Sequence, residues 1–248
     1  MGVLCPECSG GGRTTRQRSR ASFWRVPGTN RPVVTYTLIA INVVVFLLQF
    51  LPGVTEALQF SPVYSVADPG YAPAFPYEPW RMITSVFSHG GFLHILFNMY
   101  TLWMFGQVLE TMLGRGRFLV LYLLSGLAGS LGVMYFDLLL GLAPNPVVGA
   151  SGAIFGLMGA YVVILRHLGG SSTGLLILLG INLILGFLPG MNWAWQAHVG
   201  GLVGGLVLGL IFARTRQRSR QGIQLGLLIA VGALELIAAF AHAPLFVG

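Results

Sequence analysis

Seven apolar stretches, each about as long as a helix that crosses a bilayer, divide this chain of 248 residues. Charged residues make up only 8% of the sequence, whereas a water-soluble domain carries about a quarter. Most of the protein surface must therefore face lipid, where only helices and closed barrels satisfy their own backbone hydrogen bonds. The sequence predicts an all-α, polytopic membrane helix bundle with seven transmembrane helices. The predicted spans are 33–51, 92–112, 117–139, 148–165, 173–189, 195–213 and 222–241.

The positions of the arginines predict how the bundle lies in a cell membrane. All 14 basic residues are Arg, and all except Arg81 precede span 1 or lie in every second connection between spans. Because basic residues concentrate on the cytoplasmic side, we expect the N-terminus to be cytoplasmic and the C-terminus to be extracytoplasmic. Span 1 lacks a small-residue cleavage site, so we interpret it as a retained signal anchor.

These observations divide the chain into three parts. Residues 1–32 form a cytoplasmic, Arg-rich tail, residues 33–213 contain the first six spans, and residues 214–248 form a basic cytoplasmic linker and the seventh span. The tail contains a lone CxxC pair, Cys5 and Cys8. A structural zinc site takes four ligands, and no second pair or nearby His follows, so we expect neither a bound metal nor a cofactor.

A net charge of +7 and a pI near 10 raise the question of a nucleic-acid partner. The arginines, however, lie in the connections between apolar spans and not along one folded basic face. We therefore expect the tail and the basic linkers to contact anionic lipid headgroups, and we expect no nucleic acid.

Four polar side chains fall in one layer of the predicted bundle. The even-numbered spans all run from outside to inside, so a residue three to six positions into each lies about 5–9 Å below the outer surface. His94 and Asn98 lie at that depth in span 2, Ser151 in span 4 and His198 in span 6. Polar residues inside a membrane must be satisfied without bulk water, which makes this layer a candidate functional site.

Small residues surround two members of this layer. Gly149 and Gly152 leave the Ser151 hydroxyl uncovered, and His198 shares one helical face with Gly201 and the glycines that follow it at the same spacing. Such stripes of small residues allow two membrane helices to approach closely. If spans 4 and 6 pack through them, Ser151 and His198 meet.

The layer predicts acyl-transfer chemistry. A serine hydroxyl such as that of Ser151 is a weak nucleophile until a base removes its proton. Neutral imidazole, here His198, does this near pH 7 and later protonates the leaving amine. The oxyanion that forms needs preorganised donors, for which His94, the Asn98 amide and the Ser151 backbone N–H are candidates.

Five motifs, in order along residues 33–241, resemble those of the rhomboid family of intramembrane serine proteases. The resemblance implies a rhomboid-like six-helix core with one appended helix (6+1) and a Ser–His dyad without a third acidic member. The motifs are Trp80-Arg81, His89-x4-His94-x3-Asn98, Gly106-x3-Glu110, Gly149-Ala150-Ser151-Gly152 and Ala197-His198-x-Gly200-Gly201.

The resemblance also implies roles for single residues. His94 and Asn98 would join the Ser151 backbone in the oxyanion hole. Phe155 stands where the family often has Tyr, one turn after the serine, and we expect its ring to stack on His198. The CxxC pair resembles half of the zinc-ribbon-like segment that some rhomboids carry. Structural roles would fall to Trp80, Arg81, His89, Glu110, Gly149, Gly152 and Gly201.

Three acidic residues lie in or beside predicted spans. Glu110, near the cytoplasmic end of span 2, is expected to pair with arginine or to cap backbone groups. It lies a full span from Ser151, which argues against a role as a catalytic acid. Asp137 in span 3 and Glu235 in span 7 lie near the outer side and are expected to be solvated.

The leading hypothesis is an intramembrane serine endopeptidase that cuts transmembrane segments of other membrane proteins near the extracytoplasmic face. The alternative is a non-catalytic rhomboid-like scaffold that binds client transmembrane helices, and the presence of both Ser151 and His198 argues against it. A channel or transporter would show broken helices and paired charges near mid-membrane, and the sequence shows neither. The substrate, its cleavage-site preference, the gating of substrate entry and the oligomeric state stay open.

Overall fold

The computed structural model describes residues 31–65, 76–186 and 194–241. The Arg-rich tail, with Cys5 and Cys8, lies almost entirely outside these described residues. Within them the regular secondary structure is helical apart from one isolated bridge between Phe60 and Val147, so the all-α prediction is confirmed. The α-helices are α1 (Val33–Leu48), α2 (Val54–Leu58), α3 (Arg81–Thr84), α4 (Phe92–Leu113), α5 (Arg115–Leu140), α6 (Ser151–His167), α7 (Thr173–Leu185), α8 (Trp195–Arg214) and α9 (Gln221–Ala241).

Four helical segments of the described chain are long and apolar enough to cross a membrane: α4, α5, α8 and Arg218–Phe240, which contains most of α9. Three further apolar helices, α1, α6 and α7, have 16, 17 and 13 residues. At a rise of about 1.5 Å per residue they reach about 20–26 Å, less than the roughly 30 Å of a hydrocarbon core. The helices follow the predicted spans closely, whereas the count of seven transmembrane helices stays a prediction.

The segment between α1 and α4 is more helical than the sequence predicts. It holds α2, α3 and two 3-10 turns, Pro62–Ser65 and Ser85–Phe87. Helices of four or five residues make little more than one turn, so they leave no hydrophobic period in the sequence. The segment is fastened to the residues before α6, because the N–H and carbonyl groups of Phe60 and Val147 exchange hydrogen bonds of 3.0 and 2.7 Å.

Helices α5, α6 and α8 form the centre of the bundle, where each packs against the other two. The backbones of α6 and α8 nearly touch. A Cβ atom at Gly201 would lie 2.6 Å from the carbonyl carbon of Gly152 and closer still to its oxygen, and the fit is tighter between Gly205 and Gly156. No side chain fits in these gaps, so glycine is what lets the two helices approach.

Glu110, near the C-terminal end of α4, caps the N-terminus of α1. Its carboxylate accepts hydrogen bonds from the backbone N–H groups of Val34 and Thr35 at 2.9 and 2.8 Å, and from the Thr35 hydroxyl at 2.8 Å. The start of a helix carries unpaired N–H groups and a positive dipole end, both of which a carboxylate satisfies. Of the two expected partners of Glu110, arginine and backbone, the structure shows the backbone.

Two acidic side chains that we expected to be solvated are buried. Asp137, in the last turn of α5, is 5% exposed and Glu235, in α9, is 8% exposed. The Asp137 carboxylate accepts a hydrogen bond from the side-chain N–H of Gln196 at 3.0 Å. The expectation of solvated side chains is therefore wrong, because a position near the end of a span does not reveal which helix packs over it.

Helix α9 is attached to the bundle near both of its ends. The Tyr135 hydroxyl of α5 donates to the carbonyl of Ala238 at 2.8 Å. Near the other end, the Arg117 guanidinium donates to the Gln224 side-chain oxygen at 2.6 Å, and the Gln224 amide donates to the Thr215 hydroxyl at 2.7 Å. Polar contacts between helices inside a membrane add to van der Waals packing, so α9 is part of the bundle.

Candidate active site

Ser151 is the first residue of α6, and the chain before it is held by hydrogen bonds. The N–H of Gly149 donates to the carbonyl of Ser85 at 2.9 Å, two residues after the Val147 bridge. Gly149 has a φ of +128°, which L side chains rarely adopt, and a Cβ there would lie 2.8 Å from the His94 ring. Both constraints require glycine, so the chain passes directly beside α4 as it enters α6.

His198, in the first turn of α8, meets Ser151 and Phe155 of α6. Its Nε2 lies 3.0 Å from the Ser151 Oγ, within hydrogen-bonding distance. Its ring stacks on Phe155, with the ring centroids 4.3 Å apart and the planes at 11°. Its Nδ1 is buried, and no group in the described part of the chain bonds to it. If Nε2 accepts the serine proton, Nδ1 carries the ring hydrogen of the neutral imidazole.

His94 and Asn98 lie one turn apart on α4, beside Gly149. The N–H of Gly90 donates to His94 Nδ1 at 3.3 Å, which assigns the ring hydrogen to Nε2, the atom that faces Gly149. The Asn98 Nδ2 is buried, has no acceptor among the described residues, and lies 3.7 Å from the Cβ position of Gly149. A buried donor without a partner costs about 1–3 kcal/mol, so this place suits an acceptor that arrives with a ligand.

Arg81 fastens the segment between α1 and α4. Its guanidinium pairs with the Glu78 carboxylate and donates to the backbone carbonyl of Glu56. The same group lies 4.0 Å from the centroid of the Tyr64 ring, a cation–π contact. Trp80, which precedes α3, is exposed. Arg81 therefore holds three separate parts of the segment together.

His89 precedes α4 and is held through its backbone. Its N–H donates to the Gln49 side-chain oxygen at 2.8 Å, and its carbonyl accepts from the Gln49 amide at 3.1 Å, which ties this loop to the end of α1. Its ring meets the His94 ring edge to face, with centroids 5.2 Å apart. Burial, and next the charge of His94, lower the pKa of His89 to about 4, so the ring is neutral at pH 7.

The predicted site residues, apart from Trp80, fall into two groups in the structure. One group lies where α4, α6 and α8 meet, and the other holds helices and loops around that place. In the part of the chain that the structure describes, no cluster of three or more His, Cys, Asp or Glu side chains is arranged to hold a metal ion. The first group is Ser151, Phe155, His198, His94 and Asn98; the second is Arg81, His89, Glu110, Gly149, Gly152 and Gly201, and the exposed Trp80 falls in neither.

Sequence analysis missed two polar residues near the site, Gln196 and Asp137. Gln196 lies in the first turn of α8, two residues before His198, and its side chain donates to Asp137 at the end of α5. One signal in the sequence could have revealed Gln196: it is a polar residue only two positions before the candidate base. Its partner lies 59 residues away, and spacing within one helix cannot show such a contact.

Comparison with known proteins indicates one family. A family model described as the Rhomboid domain matches residues 76–215. The chain is 34% identical over 181 residues to "Rhomboid protease GluP" of Bacillus subtilis, a match that covers 70% of this chain and 33% of that protein. It is 36% identical over 178 residues to "Putative rhomboid protease YdcA" of Bacillus subtilis, covering 69% and 83%. It is 39% identical over 135 residues to "Rhomboid protein 1, mitochondrial" of Saccharomyces cerevisiae, covering 54% and 37%.

The extent of these matches differs between the relatives. The chain spans about one third of the length of GluP, 33%, and most of YdcA, 83%. The family match at 76–215 includes every helix from α3 to α8, and with them every residue of the first group. Together with the apolar helices, it makes the chain an integral membrane protein.

Proposed function

The chain belongs to the rhomboid family, and from that membership we propose that it is an intramembrane serine endopeptidase that cuts transmembrane segments of other membrane proteins. The observation that carries this proposal is the 3.0 Å contact between His198 Nε2 and Ser151 Oγ. Two relatives are called rhomboid proteases, which supports a hydrolytic reaction. Ser151 is then the nucleophile and His198 is the general base.

The reaction begins at the Ser151 hydroxyl. His198 Nε2 takes its proton while Oγ bonds to the carbonyl carbon of the scissile peptide, whose oxygen takes the negative charge. The imidazolium then gives the proton to the leaving amine as the C–N bond breaks, and an acyl-enzyme remains. Water then attacks the ester carbonyl carbon while His198 takes one of its protons. The C–Oγ bond breaks, His198 returns the proton to Oγ, and the carboxyl product leaves.

Three N–H donors stabilise the oxyanion in this proposal. They are the His94 Nε2–H, the Asn98 Nδ2–H and the Ser151 backbone N–H. The last lies at the start of α6, where the helix dipole is positive. The Asn98 Nδ2, which has no acceptor among the described residues, supports this role because an oxyanion would supply one. Phe155 keeps the imidazole in place through its stacked ring.

The substrate class follows from helix geometry. A peptide bond inside a regular helix is covered by side chains and by its own hydrogen bond, so a substrate helix must unwind before Ser151 reaches it. We expect substrates with glycine, proline or other poor helix formers near the extracytoplasmic end of a transmembrane segment. Anionic lipids are the further partners, at the arginine-rich connections.

The proposed orientation has seven transmembrane helices, a cytoplasmic N-terminus and the active site towards the extracytoplasmic side, as the distribution of arginines supports. Single cysteines replace Tyr77 and Arg218, both exposed, in a chain with Cys5 and Cys8 changed to Ser. A membrane-impermeant maleimide added to intact cells is expected to label Tyr77→Cys and not Arg218→Cys. Equal labelling of both variants would show that the orientation is wrong.

The test of activity uses purified protein in lipid vesicles with a membrane-spanning fluorogenic reporter. Wild type is expected to cleave the reporter, and Ser151→Ala and His198→Ala are expected not to. The matched controls are Ser125→Ala, another buried helix serine, and His167→Ala, an exposed histidine, and both should cleave at the wild-type rate.

A serine-directed phosphonate tests the nucleophile without knowledge of the substrate. It is expected to label wild type at Ser151 and to leave His198→Ala unlabelled, since the base activates the hydroxyl. A wild-type chain that neither cleaves nor becomes labelled would be a non-catalytic rhomboid-like scaffold, and the protease proposal would be wrong.

A further inference from the structure

The imidazole of His198 lacks a third group to orient it within the described residues, because its buried Nδ1 has no hydrogen-bond partner there. In a Ser–His–Asp triad, the third member holds the base in its productive orientation. Here the ring depends on Phe155 and on the position of α8 itself. A rotation of α8 by about 10° would move an atom about 6 Å from the helix axis by about 1 Å. The rotational position of α8 therefore decides whether the base reaches Ser151.

The glycine contacts of α8 bring it close to its neighbours without fixing that rotation. On one side a Cβ at Gly132 of α5 would lie 3.0 Å from the Cα of Gly200, and on the other side Gly152 of α6 meets Gly201. Smooth surfaces of this kind allow close approach, and interlocking side chains come only further along α8, where Leu202 lies against Gly159 of α6. At the first turn of α8, where His198 lies, a directional contact would add to that packing and fix the rotation.

The Gln196 side chain supplies a directional contact. Gln196 and Gly200 are four residues apart, so they share the face of α8 that meets α5, while His198 lies on the face that meets α6. The Gln196 amide donates to the Asp137 carboxylate at 3.0 Å, and the carboxylate is buried. Leaving a buried polar group without its partner costs about 1–3 kcal/mol, which favours keeping this bond made. This bond holds the turn that carries His198.

The last turn of α5, which presents Asp137, is itself held on both sides. The ring of Phe136 contacts the Trp195 ring at the start of α8, with centroids 5.2 Å apart. The hydroxyl of Tyr135 donates to the carbonyl of Ala238 in α9 at 2.8 Å. Three consecutive residues of α5 thus connect α9 to the first turn of α8, which makes this turn a firm support for the base.

We propose that Asp137 is a positioning residue for the general base. By accepting the Gln196 hydrogen bond, it fixes the rotation of the first turn of α8 and keeps His198 Nε2 on Ser151. Asp137 acts through Gln196 and touches neither the imidazole nor the substrate. Asp137 thus orients the general base indirectly, whereas the third member of a triad orients it by direct contact. The inference rests on the proposed protease function.

The test compares kcat and KM for reporter cleavage in vesicles. Gln196→Glu sets a second carboxylate against Asp137, and we expect kcat to fall about tenfold to a hundredfold with KM within about twofold of wild type. Asp137→Asn keeps a neutral acceptor in the same place and should lower kcat less. The exchange variant, Asp137→Asn with Gln196→Glu, restores a carboxylate–amide pair of the same total length and should return kcat to within about threefold of wild type.

Glu235→Gln is the matched control, since it changes another buried carboxyl group to an amide without touching α8 contacts to α5, and its kcat should equal that of wild type. Thermal unfolding in detergent is measured for every variant. The proposal is overturned if Gln196→Glu keeps the wild-type kcat, or if the exchange variant recovers the wild-type unfolding temperature but not kcat. If Gln196→Glu does not fold, the kcat and the unfolding temperature of the exchange variant decide the question.

These outcomes are separate from those of the protease proposal. If wild type and Ser151→Ala cleave alike, the protease proposal fails, and the positioning role fails with it. If wild type cleaves, Ser151→Ala does not, and the variants at 137 and 196 keep the wild-type kcat, only the positioning role of Asp137 fails.

Discussion

Replacing Gly201 with alanine should separate α8 from α6. The added Cβ would lie 2.6 Å from the carbonyl carbon of Gly152, whereas non-bonded carbon atoms prefer about 3.5–4.0 Å. The obstacle is backbone and not the end of a flexible side chain, so it cannot turn away. The two helices must therefore move apart by about 1 Å at this level.

That movement has two measurable consequences. Forcing an extra methyl group into a packed interface costs about 1–3 kcal/mol of folding free energy. Gly201 lies three residues after His198 on the same face of α8, so the 3.0 Å contact between His198 Nε2 and Ser151 Oγ lengthens as well. A displacement of about 1 Å at a reacting group lowers the rate by about a hundredfold.

The assay combines thermal unfolding in detergent with kcat on the reporter and the rate of phosphonate labelling. Gly226→Ala in α9 is the matched control, because its Cβ would meet no atom of the described residues within 4 Å. Alanine there should leave kcat unchanged and stability equal or higher, by up to about 1 kcal/mol. If Gly201→Ala unfolds at the wild-type temperature and cleaves at the wild-type rate, backbone contact between α6 and α8 does not set the geometry of the dyad.

Three further predictions concern the surroundings of the site. Glu110→Ala removes three hydrogen bonds at the start of α1 and should lower the free energy of unfolding by about 2–4 kcal/mol. Glu110→Gln should lose less. If denaturant titrations show that Glu110→Ala is as stable as wild type, Glu110 does not cap α1. Phe155→Leu removes the ring that stacks on His198 and should lower kcat about threefold to tenfold, whereas Phe155→Tyr retains the ring and should retain the wild-type kcat. A wild-type kcat in Phe155→Leu would show that stacking is dispensable. Folding lowers the pKa of His89 to about 4. Below pH 6.5 the unfolded chain therefore binds a proton at His89 more readily than the folded chain does. At pH 4 this difference should reduce the free energy of unfolding by about 3 kcal/mol relative to neutral pH. His89→Gln should be less acid-sensitive in unfolding experiments, and an unchanged pH dependence would contradict the burial of a neutral ring.

The helices were predictable because the bilayer imposes their length and composition. Hydropathy placed a span at 92–112 where α4 covers Phe92–Leu113, and another at 195–213 where α8 covers Trp195–Arg214. The alternating direction of spans also follows from their order alone, which is why the layer of His94, Ser151 and His198 was visible in the sequence. Short helices such as α2 escaped because one turn leaves no period.

Contacts between helices were not predictable in the same way. Asp137 looks like a solvated residue near a span end until Gln196, 59 residues later, is packed against it. The resemblance marked Glu110 as structural, yet only the structure shows that its partner is the backbone of α1. Such contacts depend on which glycine-rich helix faces pack together. A single sequence shows which faces are rich in glycine, but it does not show which of them meet.

The location of Ser151 follows from the scarcity of free donors in a membrane protein. In a lipid-buried helix, nearly every backbone N–H is already paired, and only the first turn offers unpaired ones. A nucleophile that relies on its own N–H to stabilise an oxyanion must therefore stand at a helix start, and Ser151, the nucleophile of the proposed function, is the first residue of α6.

Helix α6 has 17 residues, about 26 Å, whereas its neighbour α5 has 26 residues, about 39 Å. With Arg166 and His167 at the basic end of α6, the missing length falls at the other end. In the proposed orientation, α6 thus begins below the outer edge of the hydrocarbon core, roughly 30 Å thick. In that orientation the shortness of α6 would place the serine inside the membrane and leave a space above it through which water could come.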